Sequence, residues 1–320
     1  MPKALVTGGA GFIGSHVADL FIANGWDVTV VDDLSSGKRE NLSDKAEFHE
    51  IGVTSPEFAR LVRSGEFDVV AHLSGQIGVR ISVDDPIADA TTNILGTLNL
   101  MEALRSSNAR TRVVFSSTGG LLYGDLNTPP NIETYPKDPE SPYAVAKLSV
   151  EYYLAYYSRV HDREYAAVRL GNVYGPRQDP NGEAGVVAIF CGRILGNRPL
   201  TVFGDGQQTR DYVYVGDAAR AIWLAATRPL PPKGRLDARG FNIGTGKGTT
   251  VVEVARLLQD AAGSDVPIEF APSPPGEQQR SLVNGDKARE LLGWVPEEKL
   301  SSGLAKTYAW FASQRKGVPV

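Results

Sequence analysis

The stretch Lys3-Ala4-Leu5-Val6-Thr7-Gly8-Gly9-Ala10-Gly11-Phe12-Ile13-Gly14 decides the fold. A short apolar run at 4–6 meets a glycine-rich turn, and residues 12–24 then follow a helical period closed by Asn24-Gly25. Strand, glycine turn and helix in that order form the context in which such a turn binds a dinucleotide. The glycines read as GxGxxG from Gly9 or as GxxGxxG from Gly8. They let the main chain bend tightly and approach a pyrophosphate, which the free N–H groups and partial positive charge of a helix N-terminus hold. Gly8, Gly11, Phe12, Ile13 and Gly14 are therefore expected to bind the cofactor. A plain loop closure is the competing reading of the glycines alone. Asp32 adds to the first reading, because it ends the next apolar run (28–31), 18 residues after Gly14. A carboxylate there accepts hydrogen bonds from an adenosine ribose and repels a 2′-phosphate. No Arg follows at once, so NAD is expected rather than NADP. Asp33, Ser36 and Gly37 continue the loop within reach of the ribose and phosphates.

Further along, apolar runs at 69–72 and 113–116 alternate with helical segments at 56–64 and 87–106. The alternation predicts right-handed βαβ units and an α/β fold, a Rossmann-like doubly wound parallel sheet. After about residue 171 glycine and proline punctuate more often, which predicts a second, smaller α/β lobe with long loops. The segment 211–227 returns as one more strand and helix. The expected division is 1–171 with 208–245 for NAD and 172–207 with 246–320 for the substrate.

Composition narrows the function. The chain has 320 residues, 42% hydrophobic and 22% charged, with a net charge of −4. Its 33 Lys and Arg are scattered, whereas nucleic-acid binding needs a concentrated basic face. No apolar run approaches the ~20 residues that span a bilayer, and the residues before Lys3–Thr7 lead to no expectation of a secretory leader. Cys191 is the single cysteine, so a reducing cytoplasm is expected. His16, His49, His72 and His161 are isolated and read as packing residues, with no metal site.

The strand end Ser116-Ser117-Thr118 is followed, 25 residues on, by Tyr143-Ala144-Val145-Ala146-Lys147. Tyr and Lys four apart share one helix face. A surface helix would explain an isolated pair of this kind. As chemistry, a phenol of pKa near 10 needs roughly 4 kcal/mol of preferential phenolate stabilisation to act as a base at neutral pH. An ammonium at ~4 Å supplies about that at an effective dielectric near 20. Lys147 is thus expected to lower the Tyr143 pKa, and Thr118 to hold the reacting hydroxyl in line.

Taken together, GxxGxxG, the SST strand end and YxxxK resemble the extended short-chain dehydrogenase/reductase superfamily, over nearly the whole chain. Asn93-Ile94-Leu95-Gly96-Thr97 is similar to its NxxGT helix, and Leu73-Ser74-Gly75-Gln76 to the strand end beside the nicotinamide ribose. Arg169 to Arg177 resembles RxxNVYGPR, Gly204 to Val215 the GDGxxxRDYxxV stretch, and Leu291 to Trp294 the LLGW ending. The resemblance implies that Leu73, Gln76, Asn93, Tyr143 and Lys147 also meet NAD. It implies that Thr118, Tyr143 and Lys147 are catalytic, and that Thr118, Tyr143, Asn172, Val202, Arg210, Tyr212, Glu277 and Ser281 bind a UDP-sugar.

The residues after Thr118 separate the reactions of that superfamily. The dehydratases have Asp-Glu there and the decarboxylases keep a Glu, but this chain has Gly119-Gly120, as in the bacterial UDP-glucose 4-epimerases that its SSTGGxLYG form resembles. The implied reaction is oxidation at C4 to a transient 4-keto sugar and reduction from the other face, with no net redox. UDP-uronic acid epimerisation and a non-catalytic NAD-binding sensor are the alternatives. Three positions depart from the family: Ile51-Gly52-Val53 where an Asp often lies near adenine, Leu170-Gly171 beside the nicotinamide, and Pro274 where an Arg often meets pyrophosphate. Arg177 and Arg280 are the candidate replacements for that Arg. A small Ser281, four after Glu277, implies room for an N-acetylated sugar. Leu95, Leu98, Met101, Val150, Tyr153 and Leu154 are expected to form the helical contact of a homodimer.

Overall fold

Strand β1 (Lys3–Thr7), buried after its first residue, is an inner strand of a seven-stranded parallel sheet in a computed structural model describing residues 1–107, 109–180, 185–273 and 278–315. Helix α1 (Phe12–Ala23) carries the chain to β2 (Asp27–Asp32), and β3 (Glu47–Glu50) follows as an edge strand. Ser55 caps α2 (Pro56–Ser64), its hydroxyl accepting from the Phe58 N–H at 3.1 Å with Pro56 in the first turn. Then come β4 (Val69–His72), the short helices α3 (Val79–Asp84) and α4 (Pro86–Ala90), a π turn over Thr91–Leu95, and α5 (Gly96–Arg105). The single helix expected over 87–106 is therefore α4 and α5 joined through a widened turn. Strand β5 (Arg112–Thr118), helix α6 (Pro142–His161) and β6 (Glu164–Leu170) complete the run, with Ser141 capping α6 through the Ala144 N–H at 3.3 Å.

Beyond the strands of this first sheet come β7 (Asn172–Tyr174), α7 (Val186–Leu195), β8 (Leu200–Phe203), β9 (Thr209–Arg210) and β10 (Tyr212–Tyr214). Helix α8 (Val215–Thr227) and β11 (Gly240–Ile243) return to the first. They are followed by β12 (Thr249–Thr250), α9 (Val251–Ala262), β13 (Ile268–Ala271), β14 (Arg280–Ser281), α10 (Asp286–Leu292) and α11 (Leu300–Arg315).

The sheet order is β11-β6-β5-β4-β1-β2-β3, every pair parallel. The chain reverses its winding between β1 and β4, and a crevice opens at the C-terminal ends of those strands. Helices α1 and α8 cover one face and α2, α5 and α6 the other. Helices α7, α9 and α11 pack with β8 in a separate core. Ala288 and Leu292 of α10, with Trp294, belong to the core on the α1 side of the sheet.

Candidate active site

Gly8 has φ +69°, and a Cβ there would lie 2.7 Å from the Ser74 nitrogen, so only glycine lets the turn after β1 touch the end of β4. A Cβ on Gly14 would lie 2.0 Å from the Gly8 carbonyl oxygen. The first turn of α1 has no side-chain cap and no acidic residue, which leaves its N–H groups directed at the crevice. Asp32, buried at the end of β2, accepts from the Ala10 N–H at 3.0 Å and the Leu34 N–H at 2.9 Å. Burial raises its pKa above the usual carboxylate value. Gly37 packs directly over that carboxylate, while the Asp33 carboxylate turns outward to the Ser35 hydroxyl at 2.6 Å, and Ser36 is exposed beside it in the same loop. A cradle that a Cβ would fill, an uncapped helix end and an acid at the second strand together fit a dinucleotide.

A neutral histidine ties this turn to the next strand. His72 is buried, and burial together with the Lys147 charge holds its pKa down at about 3. The Thr97 hydroxyl donates to the Asn93 carbonyl at 2.7 Å, so it must receive the His72 Nε2–H at 3.0 Å. Nδ1 then accepts from the Thr7 hydroxyl at 2.8 Å, whose oxygen takes the Leu73 and Ser74 N–H groups, both at 3.2 Å.

Helix α6 brings Tyr143 and Lys147 to the end of β5. Lys147 is buried, donates to the Ser116 carbonyl at 3.1 Å, and stands 4.8 Å over the Phe115 ring and 5.6 Å over the Tyr143 ring. Burial lowers its pKa to about 8, with the Asp89 carboxylate opposing the fall. Tyr143 differs from expectation. Its pKa is raised, first by burial and then by the Asp89 charge, while Lys147 donates to the Ser116 carbonyl. One further turn along, Glu151 accepts from the Ser117 hydroxyl at 2.6 Å and pairs with Arg169 at 2.6 Å. Arg169 also reaches Asp237 at 2.8 Å, and neither Arg169 nor Glu151 is exposed. A charge network thus fixes the strand that carries Thr118.

Gly119 and Gly120 bring the second lobe against β5. A Cβ at 119 would fall 2.8 Å from the Arg169 carbonyl oxygen, and one at 120 would fall 2.9 Å from Ser281 Oγ and 3.6 Å from Asn172 Oδ1. Ser281 is buried, its hydroxyl donating to the Gly120 carbonyl at 3.1 Å. Asn172 and Ser281 therefore meet beside Gly120, two residues after Thr118.

Residues 4–244 match the NAD dependent epimerase/dehydratase family. The chain is a member of that family. It is 43% identical over 317 residues to a UDP-glucose 4-epimerase of Mycolicibacterium smegmatis, covering 98% of this chain and 99% of that one. Its structure is similar to a crystal structure of UDP-glucose 4-epimerase with UDP-glucose from Thermotoga maritima, at TM-score 0.92 and 44% identity, covering 98% and 99% of the two chains. It is likewise similar to a Thermus thermophilus UDP-glucose 4-epimerase complex with NAD, at TM-score 0.90 and 40% identity, covering 99% and 100%.

Within this family member the remaining expected residues lie further out. Arg210 is half-buried on β9, between β12 and β14. Tyr212 packs against Tyr174 in the second core, its hydroxyl buried without a partner among the described residues. Val202 is wholly buried beneath Gly206. Pro274 and Glu277 lie outside the described residues. Arg177 pairs with Asp19 on α1 at 2.8 Å, and Arg280 is exposed on β14. Asp211, which the sequence reading passed over, takes the Thr245 N–H at 2.8 Å, its hydroxyl at 2.6 Å and the Gly246 N–H at 3.0 Å. Asp89 and Glu151 were also passed over. Each stands four residues from a motif residue, Asn93 and Lys147, and that helical spacing was the available signal.

Proposed function

We propose that the protein interconverts UDP-glucose and UDP-galactose by 4-epimerisation, with Thr118, Tyr143 and Lys147 as the catalytic residues. One observation carries the reading. The Tyr143–Lys147 pair lies at the end of a strand continued by two glycines, one packed against main chain and one against the Ser281 hydroxyl and the Asn172 amide, so neither position offers the acid or base that loss of water requires. Gly8, Gly11, Phe12, Ile13, Gly14, Asp32, Asp33, Ser36, Gly37, Leu73, Gln76 and Asn93 hold NAD, which when bound supplies the hydride acceptor and a positive charge beside the phenol. Tyr143 takes the proton of the sugar 4-hydroxyl and returns it after the sugar has turned. Thr118 orients that hydroxyl, and Lys147, anchored on the Ser116 carbonyl, keeps a cation beneath the phenol. Asn172, Val202, Arg210, Tyr212 and Glu277 hold the UDP-sugar, with 172–207 and 246–320 as the sugar-binding part and the rest binding NAD.

The test is to incubate pure protein, without added NAD, with UDP-glucose, UDP-galactose, their N-acetyl analogues and UDP-glucuronate, and to identify products by NMR. Equilibration of glucose and galactose forms is expected. Exclusive turnover of the glucuronate would overturn the reading. A second reading, that N-acetylated sugars are also accepted, is favoured by the small Ser281 side chain beside Gly120.

The protein acts as a cytoplasmic homodimer in this proposal. Of the six residues expected at the contact, Met101, Val150 and Leu154 are buried in the core and Leu98 packs against it, which corrects that part of the sequence argument. The apolar surface is instead made by Ile87, Leu95, Val145, Tyr152, Tyr153, Tyr156 and Val160, all exposed on α4 to α6. A monomer mass by light scattering would refute it. The one cysteine, Cys191, is buried and unpaired, in keeping with a reducing compartment. No helix among the described residues is long and apolar enough to cross a membrane.

A further inference from the structure

We infer that Asp89, on α4, is a positioning residue that fixes the amides of Gln76 and Asn93 and sets the charge state of Lys147; this deepens the assignment of Tyr143 and Lys147 made above. Asp89 Oδ1 accepts from Gln76 Nε2 and from Asn93 Nδ2, each at 2.9 Å. Asp89 is 1% exposed and Asn93 3%. An ionised carboxylate only accepts, so both amides must turn their NH2 groups toward it and their oxygens away.

The consequence for Asn93 is specific. Its NH2 also reaches the Gln76 carbonyl at 3.1 Å, while its Oδ1 is buried without a partner among the described residues. That oxygen faces Gly75, where a Cβ would lie 2.4 Å from Asn93 Oδ1 and 3.4 Å from Lys147 Nζ. An unpaired acceptor is thus held on the same side of Gly75 as the ammonium. The π turn over Thr91–Leu95 makes this possible by placing Asn93 off the regular helical track.

Charge points the same way. The groups around Lys147 are Tyr143 and Glu151 on its own helix, His72 on β4, and Asp89 on α4. Glu151 is already paired with Arg169, and His72 is neutral. Asp89 is the carboxylate that opposes loss of the Lys147 proton. Without it, burial alone acts on the ammonium.

Asp89→Asn tests this, because an amide oxygen can still accept both N–H bonds while the charge is gone. In cofactor-stripped protein with 13C/15N-labelled lysine, the Lys147 side-chain signal is assigned by its absence in Lys147→Met and titrated. The expected result is a midpoint at least ~0.5 pH unit lower in Asp89→Asn than in wild type. In turnover, KM should be unchanged and the alkaline limb of the kcat profile should move to lower pH. A merely structural Asp89 would lower thermal stability and leave both the titration and the limb in place, which overturns the inference. Asp89→Ser serves the same test if the Asn variant does not accumulate folded. Failure of wild type to epimerise any UDP-sugar would sink the proposed function, whereas an unshifted Lys147 titration sinks this inference on its own.

Discussion

Replacing Lys147 by Met should stabilise the protein while ending its activity. The lysine is 3% exposed, with a pKa of about 8 against an ordinary 10.5. At ~1.36 kcal/mol per tenfold, holding it charged at pH 7 costs the fold about 3 kcal/mol. Below pH 8 both the folded and unfolded chains carry the proton, so this cost is fully present. Between about 8 and 10.5 the unfolded chain keeps the proton that the folded chain has shed, and stability rises with pH. Met keeps the aliphatic stem against Phe115 and loses the hydrogen bond to the Ser116 carbonyl, a loss of about 1 kcal/mol. The net gain at pH 7 is therefore about 2 kcal/mol, vanishing near about pH 10 as the charge term disappears. Urea unfolding of cofactor-stripped protein, followed by tryptophan fluorescence at both pH values, measures it. A higher midpoint for the variant at pH 7 and convergence with wild type at pH 10 are expected. A lower midpoint at pH 7, or a difference that ignores pH, would refute the reasoning.

Tyr143→Phe should retain cofactor and lose at least about two orders of magnitude in kcat, as for any deleted general base; wild-type turnover in this variant would remove Tyr143 from the mechanism. Ser281→Tyr forces a phenol ring into a buried position whose hydroxyl now lies 3.1 Å from the Gly120 carbonyl. Overpacking of that kind costs ~1–3 kcal/mol, so N-acetylated sugars should lose roughly tenfold to a hundredfold in kcat/KM relative to UDP-glucose. An equal loss on both substrates would place Ser281 away from the acetamido group. Protein purified without added NAD should release NAD(H) on acid denaturation, assayed enzymatically, since a reaction without net redox has no need to exchange it. Gly14→Ala, with its Cβ 2.0 Å from the Gly8 oxygen, should purify without that cofactor.

The parts of this molecule that could be read beforehand are those in which neighbours in sequence are neighbours in space. The β1 turn, the Tyr143–Lys147 face and the four apolar strands beginning at Ala4, Val28, Val69 and Val113 depend on spacings of a few residues. Strand β3 escaped because it is a half-exposed edge, Glu47-Phe48-His49-Glu50, with no apolar run to mark it. The π turn escaped because one added residue per turn hardly disturbs a helical pattern. The direction of the Tyr143 shift was misread since it depends on burial and on Asp89, 54 positions earlier. The helix-pair surface was half misassigned for a related reason: Met101 and Val150 face the sheet, and only packing tells which side of an apolar helix is turned inward.

The Arg169–Glu151 pair beneath β5 constrains how this sequence can change over time. Losing Arg169 leaves Glu151 a lone buried charge, and losing Glu151 leaves Arg169 with the part-exposed Asp237 as its counter-charge; breaking such a pair costs up to about 3–5 kcal/mol, a large share of the stability of a typical domain. Replacing both by apolar residues of similar volume is often close to neutral. The two positions, 18 apart in the chain, thus sit on opposite rims of a fitness valley. Ser117 is tied to the same carboxylate, so any lineage crossing the valley must also resettle the residue next to Thr118. Descendants of this chain should therefore carry the pair together or lack it together.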